Sequence, residues 1–312
     1  MKEFKDKIVL VTGGTGSIGS EIVRQLLKAD VSKIRIYSRD EHKQHELRQE
    51  LGANLRLTFL LGDVRDKDRL DFAFKGVDIC FHAAALKHVP FCEYNPFEAL
   101  KTNAIGTQNV IDVSIRNNLE KVIAISTDKA VSPESVLGAS KLMAERLIAA
   151  ANLSAGSSRT KFACVRFGNV VGSRGSVIHL WQRQIEEGGP VTVTHKKVTR
   201  FFMEIPQAVG LIFDAVRLMR GGEIFVLKMK KHRIADFALE VIKKFSNGKK
   251  IAIKFIGLRP GEKLDEELFT NEERSHMLET KDMYIITPQH ILPGYEYPSS
   301  NYPGSRKAVI RR

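Results

Sequence analysis

Thr127, Asp128 and Lys129 stand in succession near the middle of the chain, with Lys141 a short distance beyond. A hydroxyl, a carboxyl and an amine side by side can donate and accept protons at one reacting centre, and the protons of such an adjoining acid and amine belong to the pair. Far upstream, Thr12-Gly13-Gly14-Thr15-Gly16-Ser17-Ile18-Gly19 forms a glycine-rich loop. Glycines there let the backbone turn tightly and approach a diphosphate, and the start of a following helix favours its negative charge.

The surrounding pattern says how these groups are positioned. Short β-branched runs predict strands over residues 8–12, 34–37, 55–61, 77–82, 121–126 and 162–167, with amphipathic helices between them. Strand and helix in strict alternation imply an α/β fold, and the loop after the first strand makes it a Rossmann-type, doubly wound parallel sheet. After about Gly172 the rhythm changes: strands are expected at 191–193, 224–227 and 251–256, and helices at 176–187, 206–218 and 234–245. The expected organisation is a nucleotide-binding domain with the catalytic residues over 1–172, a smaller mixed α/β substrate lobe over 173–292, and a basic extension over 293–312.

Composition narrows the partners. Of 312 residues, 43% are hydrophobic and 27% charged, which suits a sizeable core and excludes a disordered chain. No apolar run approaches the ~18 residues that cross a bilayer, so no membrane insertion is expected. Cys80, Cys92 and Cys164 are odd in number and lack CxxC spacing, which suits a reducing, cytoplasmic setting and no metal site. His42 and His45 lie on a polar helix and read as solvated. The formal charge of +13 is spread along the chain without interleaved aromatics and reads first as a solvated basic surface; it allows nucleic acid, an anionic membrane surface or small anionic ligands, and a nucleic-acid partner would explain the charge but none of the motifs.

Further along the sheet, Ser38 and Arg39 end the second strand, where an acidic residue would select the ribose hydroxyls of NAD. A hydroxyl with a guanidinium suits a 2′-phosphate, which favours NADP; Asp40, one residue on, leaves NAD open. Asp63 and Val64 close the third strand, Ala83, Ala84 and Ala85 the fourth, and Ser126 the fifth. The small residues would admit a cofactor close to the backbone, and Asp63 could accept from an adenine amino group.

The motifs TGGTGSIG, GDVRD, AAALKHVP, STDKAV, GASK, RFGNVVGSRGSV, TRFFM and RPGEKL, spanning residues 8 to about 269, resemble the extended short-chain dehydrogenase/reductases. Within that superfamily they look like the nucleotide-sugar 4,6-dehydratases acting on UDP-N-acetylglucosamine. The resemblance implies oxidation at C4 of the sugar with bound NADP, loss of water across C5 and C6, and hydride return to C6. On this reading Thr127 bonds the C4 oxygen, a protonated Asp128 acts as acid on the C6 hydroxyl, a neutral Lys129 takes the C5 proton, and Lys141 orients the nicotinamide ribose.

The substrate side is expected to use Lys87, His88, Asn169, Ser173, Arg174, Thr199, Arg200, Arg259 and Glu262, the arginines on the diphosphate and Glu262 on the uridine ribose. One position departs from the superfamily. The tyrosine base four residues before the helix lysine is replaced by Leu137, as a subgroup of these dehydratases replaces it with an apolar residue, usually methionine. Loss of a positioned base costs roughly 10²–10⁴ in rate unless another group serves, here Asp128, Lys129 or Lys87. The expected activity is the inverting 4,6-dehydration of a UDP-sugar by a homo-oligomer. The alternatives are a nucleotide-sugar 4-epimerase and, given Leu137, a non-catalytic NADP-binding protein.

Overall fold

The computed structural model describes residues 1–173, 175–288, 302 and 305–307. β1 (Ile8–Thr12), β2 (Lys33–Ser38), β3 (Leu57–Leu61), β4 (Ile79–His82), β5 (Lys121–Ile125) and β6 (Lys161–Arg166) follow one another with helices between. β7 (Asn169–Val171), β8 (Val191–Val193), β9 (Thr199–Glu204), β10 (Ile224–Leu227), β11 (Lys230–Arg233) and β12 (Ile253–Phe255) come next, then β13 (Met277–Glu279), β14 (Met283–Ile286) and β15 (Arg306–Lys307).

Ten strands share one sheet in the order β15-β13-β14-β10-β6-β5-β4-β1-β2-β3. From β3 to β10 the neighbours are parallel; β14, β13 and β15 are antiparallel. The chain runs outward from β1 to β3, then crosses to β4 on the other side of β1. That reversal opens a crevice beyond the carboxyl ends of the strands, the place where open α/β sheets bind ligands.

Side-chain alternation explains why IVLVT is apolar throughout. Val9 and Val11 pack with Ile34 and Ile36 on one face, while Leu10 packs with Cys80 and Val122 on the other, so both faces of β1 are core. The helix carrying Lys141, Val136–Ser154, begins where Ser135 Oγ accepts from Gly138 N at 3.1 Å. Between β4 and β5 the chain makes a π turn at Leu100–Ile105, an irregularity that often accompanies functional sites.

Two smaller sheets, β11-β9-β7 and β12-β8, are separate from the main one. Their core is a separate cluster in which Trp181, Val191, Val193 and Val198 meet Ile234, Ala238 and Val241. β10, β13 and β14 lie beyond residue 172 in sequence yet complete the main sheet. β7, β9 and β11 were not expected: KKHR has no apolar residue, and β11 is a strand because it pairs antiparallel with β9.

Candidate active site

The glycine loop leaves β1 against the end of β4. At Gly13, with φ of +63°, an added Cβ would lie 2.8 Å from Ala83 O; at Gly19 it would lie 2.3 Å from Gly13 O. No side chain fits at either place, so the helix Ser17–Leu26 starts hard against the turn with Gly16 as its N-cap. Beneath the loop, Thr12 Oγ1 and His82 Nδ1 are 2.7 Å apart, which joins the tips of β1 and β4.

A cavity of about 870 Å³ runs along the strand ends. Every residue expected to touch the cofactor lines it: Gly13, Thr15, Gly16, Ser17, Ile18 and Gly19, then Ser38, Arg39, Asp63, Val64, Ala83, Ala84, Ala85, Ser126 and Lys141. Lys43 lines it too, beside Arg39, and pairs with Asp40. Arg39 Nη1 is 3.4 Å from Asp63 Oδ2, and Arg65 reaches the same carboxylate at 2.7 Å. Burial works against the charge on Asp63, but its bonds to Arg65 prevail and hold its pKa below the ordinary aspartate value.

At the other end of the cavity Thr127, Lys129, Lys141, Leu137, Lys87 and His88 come together. Lys129 Nζ lies 3.0 Å from Asp128 Oδ1 and 3.4 Å from Glu266 Oε1. Burial alone would lower the Lys129 pKa, yet Asp128 and Glu266 outweigh it and hold it above the ordinary lysine value. Lys129 thus sits between the carboxyl groups of Asp128 and Glu266, which favour its ammonium form. Burial lowers the pKa of Lys141, whose Nζ donates to Ile125 O, and also that of Lys87. His88 is lowered by burial and then by Lys87.

Asp128 and Thr199 do not line the cavity. Asp128 is fully buried; its Oδ1 accepts from Thr127 Oγ1 at 2.9 Å and from Lys129, and Gly168 closes over its Oδ2. Thr199 also stays off the wall, its hydroxyl bonded to Asp265, because the two-residue period of β9 turns Arg200 and Phe202 to the cavity instead.

Asn169, Ser173, Arg200, Arg259 and Glu262 do line the cavity. Arg200 and Glu262 pair with each other at 3.1 Å, so the charge that each presents to a ligand is partly spent within the wall. Arg174 lies outside the described residues, as does most of the extension expected over 293–312. Among the described residues there is no metal-binding group of histidine, cysteine or acidic side chains, and no helix is long and apolar enough to cross a membrane.

The arrangement combines a glycine loop at a helix start, a basic end at Arg39 and Lys43, and a wall where hydroxyl, amine and carboxyl groups meet. A family described as polysaccharide biosynthesis protein matches residues 9–288. The chain belongs to that family. Polysaccharide biosynthesis proteins related to it include the UDP-N-acetylglucosamine 4,6-dehydratase (inverting) of Campylobacter jejuni, 40% identical over 96% of this chain and 94% of the relative. A UDP-glucose 4-epimerase of Rickettsia prowazekii is 44% identical over 86% of this chain and 80% of its own. The crystal structure of Pen from Bacillus thuringiensis is similar with a TM-score of 0.89 and 46% identity, covering 92% of this chain and 90% of that one. The polysaccharide biosynthesis fold seen here is that of the extended short-chain dehydrogenase/reductases, in agreement with the motifs.

Sequence reasoning missed Glu266 and Lys43. Glu266 sits in the acidic run Asp265-Glu266-Glu267, which reads as surface; only the pairing of Thr199 with Asp265 and Leu264 turns it inward. Lys43 lies one helical turn beyond Arg39, a spacing that could have flagged it as a second cation at the strand tip.

Proposed function

We propose that the chain catalyses the NADP-dependent 4,6-dehydration of UDP-N-acetylglucosamine to a UDP-4-keto-6-deoxy-hexosamine, with inversion at C5. The observation that carries this reading is Lys129 on the cavity wall between two buried carboxylates. Hydride removal and return at one carbon needs one group to hold the proton of one hydroxyl. Elimination needs a second proton movement at the neighbouring carbons, and this wall supplies the groups for it.

A dinucleotide fits the residues present. Cβ atoms at Gly13 and Gly19 would fill the diphosphate cradle, and the buried Ser126 Oγ, which has no hydrogen-bond partner, lines the cavity beyond it. Ser38, Arg39 and Lys43 would take a 2′-phosphate, which supports NADP over NAD. Bound there, the cofactor supplies the hydride acceptor and donor of the cycle.

The protein's own part is proton handling and orientation. Thr127 presents its hydroxyl toward the C4 oxygen. Lys141, anchored on Ile125 O, adds positive potential where negative charge develops on that oxygen. Lys87 is the group to take the C4 hydroxyl proton in the place of a tyrosine, since it lines the cavity and its pKa is lowered. Arg259 and Ser173, from a lobe spanning residues 173–292, serve the UDP end together with Asn169 just before it. Phe91, Tyr94, Phe97 and Leu100, exposed on the short helices Val89–Tyr94 and Pro96–Ala99 and at the start of the π turn, support a homo-oligomer.

A 4-epimerase is the second reading, favoured by the likeness to the Rickettsia protein. Turnover of UDP-N-acetylglucosamine in deuterated water separates the two. Loss of water with deuterium at C5 of the product is the expected result, and a C4 epimer with all its oxygens retained would replace dehydration by epimerisation. Bound NADP with no turnover of any UDP-hexose would leave a binding protein.

A further inference from the structure

The RPGEK motif, residues 259–263, is only partly used by the function proposed above. Arg259, Gly261 and Glu262 line the cavity, and Lys263 does not. Its half-buried side chain turns the other way, where Nζ donates to Val131 O at 2.9 Å and to Ser132 O. These carbonyls belong to the loop between the turn Asp128–Ala130 and the helix Val136–Ser154, so they stand in the chain between Lys129 and Lys141.

The loop is drawn tight on both sides of this grip. Before it, Val131 N donates to Asp128 O at 3.1 Å, and Asp128 N to Phe167 O at 3.0 Å. After it, Val136 N donates to Glu93 Oε1 at 2.8 Å, and a Cβ added at Gly138 would lie 2.2 Å from Lys129 O, so the helix starts hard against the lysine's own carbonyl. Between these ties Ser132 takes a φ of +41°, in the left-handed region that residues other than glycine rarely adopt. One lysine, with donors to spare, holds the carbonyl of this residue and that of the residue before it.

The gripping turn is itself fixed in place. Glu262 N donates to Arg259 O at 3.0 Å, and Glu262 Oε1 accepts from Thr194 Oγ1 and Arg200. Gly261, with φ of +71°, lies so close to the helix start that an added Cβ would be 2.9 Å from Ser135 Cβ. Three residues beyond Lys263, Glu266 reaches Lys129. A single stretch of eight residues therefore presents Arg259 and Glu262 to one end of the cavity and braces the Lys129 turn at the other.

We propose that Lys263 is a positioning residue: by holding Val131 and Ser132 it sets Lys129 against Lys141, from the same turn that serves the nucleotide end of the substrate. The inference rests on the dehydration proposed above. Binding energy from the remote nucleotide then helps to keep the reacting groups in register, and a displacement of about 1 Å there costs about 10²-fold in rate.

The test compares Lys263→Met, which keeps the length of the stem and removes the donors, with Lys263→Arg, which restores donors. Water release from UDP-N-acetylglucosamine gives kcat and KM, and calorimetric titration with UDP gives Kd and the number of binding sites, to which kcat is referred. Lys263→Met is expected to lower kcat about 10–100-fold with KM and the UDP Kd within about threefold of wild type, and Lys263→Arg to recover most of the loss. A raised KM and Kd with unchanged kcat would make Lys263 a binding residue and overturn the proposal. So would an unchanged kcat and KM, an arginine variant as slow as the methionine one, or a loss of activity that only matches a loss of UDP sites. A wild-type protein that released no water would overturn the dehydration itself, a result separate from any difference between the variants.

Discussion

Asn103 grips Leu86 by both of its backbone polar atoms: Oδ1 accepts from Leu86 N at 2.8 Å, and Nδ2 donates to Leu86 O at 3.1 Å. The same Nδ2 reaches Ser140 Oγ at 3.0 Å, so one amide in the π turn fixes the strand exit bearing Lys87 against the helix bearing Lys141. Asn103→Leu would strand these partners without bonds. Stability should fall by about 1–3 kcal/mol in urea titration, with turnover lowered at least tenfold.

His82 should make the fold acid-sensitive. Thr107 Oγ1 donates to Asn103 O at 2.6 Å and so accepts from His82 Nε2, which leaves Nδ1 to accept from Thr12. The ring is neutral, its pKa lowered from 6.5 to about 3 by burial and by Lys141. Between those values the unfolded chain binds a proton that the folded one does not. The contribution is thus whole above pH 6.5 and lost as pH falls toward 3, by roughly 1.4 kcal/mol per unit at full slope. Urea midpoints at pH 7, 5.5 and 4 measure this, and His82→Gln should remove that part of the slope.

Cofactor choice should depend on Arg39 and Lys43 together. Removing both as alanine is expected to weaken NADP binding by about 10–100-fold while changing NAD binding little, because a 2′-phosphate loses two charged partners. Fluorescence or calorimetric titration with each dinucleotide reads the ratio directly. A ratio unchanged from wild type would place the 2′-phosphate elsewhere.

The Arg166 guanidinium is 1% exposed and spans two carboxylates, Glu145 on the helix of Lys141 at 2.7 Å and Glu273 of the later segment at 2.8 Å. Arg166→Met would leave two buried acids unpaired, at a cost of about 3–5 kcal/mol. Replacing all three by methionine should recover much of that loss, since an apolar triad of similar volume has no charge to desolvate. Thermal melts of the two variants make the comparison.

The alternation of apolar runs made β1, β2, β4, β5, β6, β8 and β10 legible to within two residues, because each is buried and bounded by turns or helices. The cofactor wall was legible for a related reason: glycines and strand-end residues are placed by local backbone geometry. Glu266 was not legible, because its inward turn depends on pairing with Thr199, distant in sequence. That Asp128 and Thr199 lie off the cavity wall was not legible for the same reason; a neighbour in sequence to Lys129 or Arg200 need not share its face. The rise in the Lys129 pKa comes first from Asp128, its neighbour in sequence, and then from Glu266, which only folding brings near.

The place of β10 between β6 and β14 bears on synthesis as much as on structure. A nascent chain that has reached residue 172 holds β6 with one row of backbone amides and carbonyls uncovered, beside the apolar side chains Phe162, Ala163 and Val165. Until β10 emerges, that rim is a template for pairing with another chain. Fragments ending before residue 224 should therefore aggregate, and the protein's window of exposure on the ribosome is set by the stretch of lobe translated between these two strands.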